Sequence, residues 1–255
     1  MHRIKVVSCE VFSREFYWAA ADSPHVLDMS FLPFGLHNTP DKLREAIQSA
    51  VDEVDPEVYD YVVLGYCLCS RGTADIVGGS VPLVVPRGHD CITVFLGSRA
   101  TYDREFGLHP GTYYYSAGWI ERKEGESSQG SIDDVQARQY EERYREYVEK
   151  YGEDNAKYLI EQEASWHANY TRAAFIDTQV GPCQQYRQFV KGIARDREWD
   201  YAEIEGSTDM VRRFLHGEWD SEDFLVVPPH HRICESFDEL ILGCRDCSDE
   251  CGSRS

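Results

Sequence analysis

Basic side chains are scarce: Lys and Arg total 26 against 45 Asp and Glu, a formal net charge of −19. So acidic a chain repels phosphate backbones and anionic lipid surfaces, which argues against nucleic acid and membrane as partners. Long apolar runs are missing too. None approaches the ~20 residues of a membrane helix, and the first residues, MHRIKVVSCE, enter a strand-like run without the apolar stretch of a secretory signal. The expected location is therefore cytoplasmic. The signatures G-x-x-x-x-G-K-[ST], G-x-G-x-x-G, G-x-S-x-G and H-E-x-x-H do not occur, so phosphate cradles, nucleophile elbows and zincin helices lack support.

Cysteine, by contrast, is plentiful, with nine in the chain. Cytosolic thiols stay reduced, so an odd number of them points to ligands, redox groups or core packing rather than a disulfide framework. Three follow strongly apolar runs: Cys9 after IKVV, Cys69 in VVLGYCLCSRG and Cys91 in PLVVPRGHDC. Ligands bind at the carboxyl ends of strands in open parallel sheets, so thiols delivered there from three strands can converge. A single cysteine commonly packs as a small hydrophobe; three at equivalent positions suggest a shared metal.

Composition, with 42% apolar and 13% aromatic residues, is that of a globular protein. Strand-like segments at 4–12, 25–37, 60–70, 83–85, 111–121, 172–179, 201–206 and 223–233 alternate with helical patterns. In the first helix, Asn38-Thr39-Pro40 precedes Leu43, Ala46, Ile47, Ala50, Val51 and Val54 at helical spacing. Later helices are read at 186–195 and 210–215. This alternation predicts an α/β protein of two Rossmann-like lobes with mostly parallel sheets. The expected divisions are a lobe over 1–125 carrying the cysteines, a helical insertion over 126–168, a second lobe over 169–240 and a cysteine-containing tail over 241–255. The insertion has Tyr140, Tyr144, Tyr147 and Tyr151 on one stripe, most simply a packing face.

Three thiolates suit zinc with an open fourth position, or a [4Fe–4S] cluster with one unique iron. His89 is a candidate ligand, an outer-sphere or acid/base group, or a structural histidine. Asp90 reads as the cap of a helix beginning at Cys91. Arg87 is suited to orient an anionic small-molecule substrate, because its guanidinium grips carboxylate or phosphate bidentately. Asp177 and Thr178 follow an apparent strand, and His230 and His231 follow the last one, which places them at the same sheet edge in the second lobe; all four are candidate cofactor-binding residues. Cys244, Cys247 and Cys251, with Cys234 upstream, form either a second thiolate site or a mobile, exchanging tail.

The segments LGYCLCSRG, PLVVPRGHDCITVFLGS, PGTYYYSAGWIE and DFLVVPPHHRI, with FIDT and EGS between them, resemble a prokaryotic conserved domain family of unknown function. Its genes often lie near corrinoid-dependent methyltransferases and corrinoid-activating proteins. Members usually carry glycine where this chain has Cys67, and Gly-Asn-Gly-like residues in place of Ser70-Arg71-Gly72. The pattern fits Cys9, Cys69, His89, Asp90 and Cys91. The resemblance implies a role in corrinoid-linked one-carbon, methyl-transfer metabolism, with a corrinoid protein or methyltransferase as partner. A metal-dependent enzyme with His89 and Arg87 as catalytic groups is one form of that expectation. A non-catalytic metal or corrinoid accessory protein is another, and a thiol redox protein using Cys67 and Cys69 or the cysteines of the tail is a third.

Overall fold

The computed structural model describes residues 1–125, 144–145, 147–165 and 169–247. In chain order its strands are β1 (Arg3–Cys9), β2 (Val26–Leu32), β3 (Tyr61–Gly65), β4 (Leu83–Pro86), β5 (Thr112–Tyr115), β6 (Arg172–Asp177), β7 (Asp200–Glu205), β8 (Phe224–Val227), β9 (His231–Glu235) and β10 (Leu242–Asp246). Its helices are α1 (Ser13–Ala20), α2 (Pro40–Asp52), α3 (Cys91–Leu96), α4 (Arg99–Leu108), α5 (Ala117–Gly125), α6 (Glu153–Ser165), α7 (Gln184–Asp196) and α8 (Asp209–Leu215). The chain belongs to the α/β, Rossmann-like class, and it divides into two compact units.

The first unit comprises Met1–Leu108, Ile176–Cys183 and the chain from Glu205 onward. Its sheet has the order β2-β1-β3-β4-β8, and the first four strands run parallel. Ile4, Val6, Val7, Val62, Val63, Leu64, Leu83, Val84 and Val85 are all buried, as expected for central parallel strands covered on both faces. Pro40 starts α2 from its first turn, and Leu43, Ile47 and Val51 pack into the same cluster as Val7, Leu64 and Leu83. The cluster around Phe12, Phe16, Phe95, Phe214 and Phe224 is aromatic, with ring centroids 4.8 to 6.3 Å apart.

Three features depart from the sequence expectation. The first strand ends at Cys9, after which a 3-10 turn at Glu10–Phe12 leads into α1. Phe12, Phe16 and Ala19 recur at helical spacing and are buried, which outweighs a continued strand. Second, β8 joins the first sheet and runs antiparallel to β4, pairing Leu83 with Val227 and Pro86 with Phe224. Third, part of the expected tail is ordered: β10 pairs with β9, and Ile241 and Leu242 are buried.

The second unit comprises His109–Phe175 and Gln184–Ile204, built on the sheet β5-β6-β7. β5 and β6 are parallel, with Thr112 opposite Arg172. The aromatic stretch expected to be one strand stops at Tyr115, because the Ser116 hydroxyl accepts from the Trp119 N–H and starts α5. α7 buries Tyr186, Val190, Ile193 and Ala194. Of the tyrosine stripe, the Tyr147 and Tyr151 rings lie 6.1 Å apart, and Tyr140 falls outside the described residues. No helix among the described residues is long and apolar enough to cross a membrane.

Candidate thiol site at the strand ends

β1 ends at Cys9, and Tyr66 follows the last residue of β3. Because β1, β3 and β4 are parallel and adjacent, the loops after them emerge on one edge of the sheet. Gly65 permits the close pairing of β3 with β1 there: a Cβ on it would lie 2.2 Å from the Ser8 hydroxyl oxygen and 2.9 Å from the Phe16 ring. Beyond Gly65 the backbone turns, and Cys69, Ser70 and Arg71 occupy left-handed conformations with φ of 45°, 56° and 70°. Three successive non-glycine residues in that region store strain, and such strain gathers at functional sites.

The strained loop is held from several sides. Leu68 N–H donates to the Gly88 carbonyl and Cys69 N–H to the His89 carbonyl, each at 2.9 Å. Arg44 donates through Nη2 to the Arg71 carbonyl and through Nε to the Ala74 carbonyl. On the facing loop Asp90 caps α3, its carboxylate accepting from the Ile92 N–H at 2.9 Å, as its place before Cys91 led us to expect.

Cys9, Cys69 and Cys91, all half-buried, lie close enough to act on one another electrostatically. Burial pushes the Cys69 thiol well up, and the neighbouring Cys9 and Asp90 push it further. The Cys91 thiol is raised by burial first, then by Asp90, Cys69 and Cys9. Burial likewise raises Asp90 itself, against the N–H groups it caps. Cys67 is fully buried beside them, also raised, and its carbonyl accepts from the Thr73 hydroxyl at 2.9 Å. Among the described residues, no three His, Cys, Asp or Glu side chains stand in positions that could hold a metal ion as they are.

Tyr66 is the residue the sequence did not single out. It is 4% exposed and belongs to the core cluster against which Cys9 and Cys69 pack. Its hydroxyl is buried and faces the Cys9 thiol. Burial raises the phenol, and Cys9, Cys69 and Glu10 add to that. Its place directly after Gly65, at the opening of the strand, was the available signal.

The other candidates are dispersed. His89 is exposed, with its ring 6.2 Å from that of Tyr102. Arg87 is only 7% exposed; its Nε donates to the Phe224 carbonyl at 3.1 Å and its Nη1 to the carbonyls of Leu240 and Leu242. That guanidinium fastens β8 to the segment entering β10. Thr178 donates its hydroxyl proton to the buried Glu15 carboxylate at 2.7 Å, and Asp177 accepts from the Gln179 N–H at 2.9 Å.

The antiparallel direction of β8 corrects the placement expected for His230 and His231. The loop after Val227 lies beside the start of β4, at the sheet edge opposite the thiols. His230, with φ of 61°, donates its N–H to the carbonyls of Gly78 and Gly79. His231 Nδ1 lies 2.9 Å from the Pro229 carbonyl, which can only accept, so this nitrogen carries the proton. In the β9–β10 hairpin, Arg245 Nε donates to Cys234 Sγ at 2.8 Å, and burial followed by Cys234 raises Cys244. Cys251 lies outside the described residues.

A family model described as "Protein of unknown function (DUF1638)" matches residues 31–215. The span includes Cys69, His89 and Cys91, while Cys9 and the β9–β10 hairpin lie outside it. No curated protein and no solved structure matches the chain.

Proposed function

The chain belongs to the DUF1638 family, and from that premise we propose that it is a cysteine-ligated metalloprotein acting in corrinoid-linked methyl transfer. The observation that supports the metal assignment is the placement of Cys9, Cys69 and Cys91 at or shortly after the ends of three adjacent parallel strands, on one edge of the sheet. Burial first, and then the neighbouring thiols and the Asp90 carboxyl group, raise Cys69 and Cys91. A thiophilic cation relieves that mutual repulsion.

As they stand no three described side chains could hold a metal, so Cys9, Cys69 and Cys91 would have to rearrange to hold a zinc ion or a [4Fe–4S] cluster. The bound metal would supply Lewis acidity there. The residues of the chain would do the remainder. The strained Cys69–Arg71 loop presets one sulfur, Asp90 fixes the start of α3 and therefore Cys91, and the exposed His89 at the rim would move a proton. An anionic substrate group reaching Arg87 would have to compete with its three backbone carbonyls. The corrinoid partner is proposed on the sequence resemblance.

The test is turnover. Protein purified without oxygen, loaded with zinc or reconstituted with iron and sulfide, is mixed with a methylated corrinoid protein and a thiol acceptor while the cobalt spectrum is followed. Demethylation dependent on the loaded protein, and reduced on the order of a hundredfold in His89→Ala, supports the reading. Corrinoid binding without turnover in either loaded form would replace it with the accessory role.

A further inference from the structure

We propose that the chain pairs with a second copy of itself through β2, joining the five-stranded sheets of the two molecules edge to edge. β2 is the outer strand of that sheet and, among the described residues, pairs with β1 alone. The Val26 N–H donates to the His2 carbonyl at 2.9 Å, and the register sets Arg3 opposite Val26 and Val6 opposite Met29. A parallel strand sends the N–H and C=O of alternate residues to the same side. Val26, Asp28, Ser30 and Leu32 therefore bond to β1, while the backbone groups of Leu27, Met29 and Phe31 point away from it, where no described residue answers them. Natural sheets blunt such an edge with proline, a bulge, charges or a very short strand. The seven residues VLDMSFL contain no proline, pair with β1 in unbroken register and hold one charge, Asp28, which Arg3 Nε already engages at 3.0 Å. The opposite edge is handled differently: β8 is four residues long, and Arg87 fastens it to the segment entering β10.

The occupant is a second copy because the strand is complementary to itself. With Met29 on a two-fold axis and the two strands antiparallel, Leu27 stands opposite Phe31 of the second copy and Met29 opposite its own counterpart, each pair exchanging two N–H···O=C bonds. All the outward-pointing backbone groups of β2 are then used at once. Leu27, Met29 and Phe31 share one face of the sheet, so apolar side chains meet apolar ones. On the other face Asp28 stands opposite Ser30 of the second copy. The Ser30 hydroxyl accepts from the Lys5 ammonium of its own chain at 2.8 Å, so a carboxylate meets a lysine and no like charges are opposed. Val26, 43% exposed, stands opposite Leu32 of the second copy, and Tyr17, 59% exposed with its ring 5.3 Å from that of Phe31, lies beside the join. Pairing thus withdraws from water apolar surface that a single copy leaves wet.

The test is sedimentation velocity of the full-length protein and of Met29→Pro at about 1 to 100 μM. Because the Met29 N–H points away from β1, proline there removes the central donor of the join and leaves the β1–β2 bonds in place. Wild type should sediment as a dimer, and Met29→Pro should dimerise about 100-fold more weakly or worse, from two lost bonds and an obstructed edge. A melting curve of the variant shows whether the fold is kept. Hydrogen exchange of wild type gives a second measurement that needs no variant. As concentration rises, the amides of Leu27, Met29 and Phe31 should gain protection, while those of Asp28 and Ser30, bonded to β1 in either state, should change little. A wild type that stays monomeric across the range, a dimer that Met29→Pro leaves intact, or concentration-dependent protection that bypasses β2 would overturn the inference.

Discussion

Cys69 is tied to His89 through the backbone: the N–H of one donates to the carbonyl of the other at 2.9 Å, two residues before Cys91. The bond lies beside a second, from Leu68 to Gly88, so the loops after β3 and β4, which carry Cys69 and Cys91, are stitched together. That stitching holds the left-handed run Cys69–Ser70–Arg71 against its own strain.

Ser70 offers a clean measure of the strain, being exposed and at φ 56°. Glycine adopts this conformation freely, so Ser70→Gly should stabilise the metal-free protein by about 1 kcal/mol, partly offset by a more flexible unfolded chain. Chemical denaturation of the two proteins measures it. A loss of stability would show that the Ser70 side chain matters more than its backbone.

Gly65, five residues earlier, should behave oppositely. Gly65→Ala places a methyl 2.2 Å from the Ser8 hydroxyl and 2.9 Å from the Phe16 ring, in a fully buried strand end. Overpacking of this kind costs about 1–3 kcal/mol. The variant's denaturation midpoint should fall accordingly; an unchanged midpoint would mean that the β1–β3 pairing yields easily.

The parallel core and its loops were legible because β1, β3 and β4 are short β-branched runs broken by Gly65 or by Pro86-Arg87-Gly88, and because Asp90 stands where a cap belongs. The direction of β8 was not. LVV reads alike in either orientation, and only pairing with β4 decides it, which is why His230 and His231 were expected at the wrong edge. α1 was hidden by its shortness and by the apolar run it continues. Tyr66 was hidden because its burial against Cys9 and Cys69 is a property of packing, and its place after Gly65 was the one signal in the sequence.

Arg87 illustrates a residue type read for chemistry and found fastening strands. Arg87→Met should keep much of the apolar volume but strip the carbonyls of Phe224, Leu240 and Leu242 of their donor. A loss of about 2–4 kcal/mol is expected, from charge-assisted bonds to partly buried carbonyls. Hydrogen exchange should show β10 opening before the parallel strands do. Uniform protection across both would contradict the fastening role.

The raised thiols make stability depend on pH with a definite sign. Cys67, Cys69 and Cys91 ionise in the folded, metal-free protein only well above their ordinary range, whereas an unfolded thiol ionises near about 8.5. Below that pH both states hold the proton and the stabilisation is fully present. Above it the unfolded chain releases protons that the folded chain retains, so stability should fall as pH rises from about 8 to 10. Melting curves across that range provide the measurement, and replacing the three cysteines with serine should flatten the trend. A rise in stability over the same range would reverse the sign and contradict the burial of these thiols.

Metal content is the most direct measurement of all. Wild type and the single variants Cys9→Ser, Cys69→Ser, Cys91→Ser and Cys183→Ser are purified without oxygen, and zinc, iron and acid-labile sulfide are determined per chain with an absorption spectrum. Cys183, whose thiol lies 3.5 Å from the Gly181 carbonyl, serves as the control. A site with only three protein ligands rarely tolerates losing one. Metal should therefore be present in wild type and Cys183→Ser and drop sharply in the other three; equal metal content in all five proteins, or none in any, would contradict a shared Cys9–Cys69–Cys91 site.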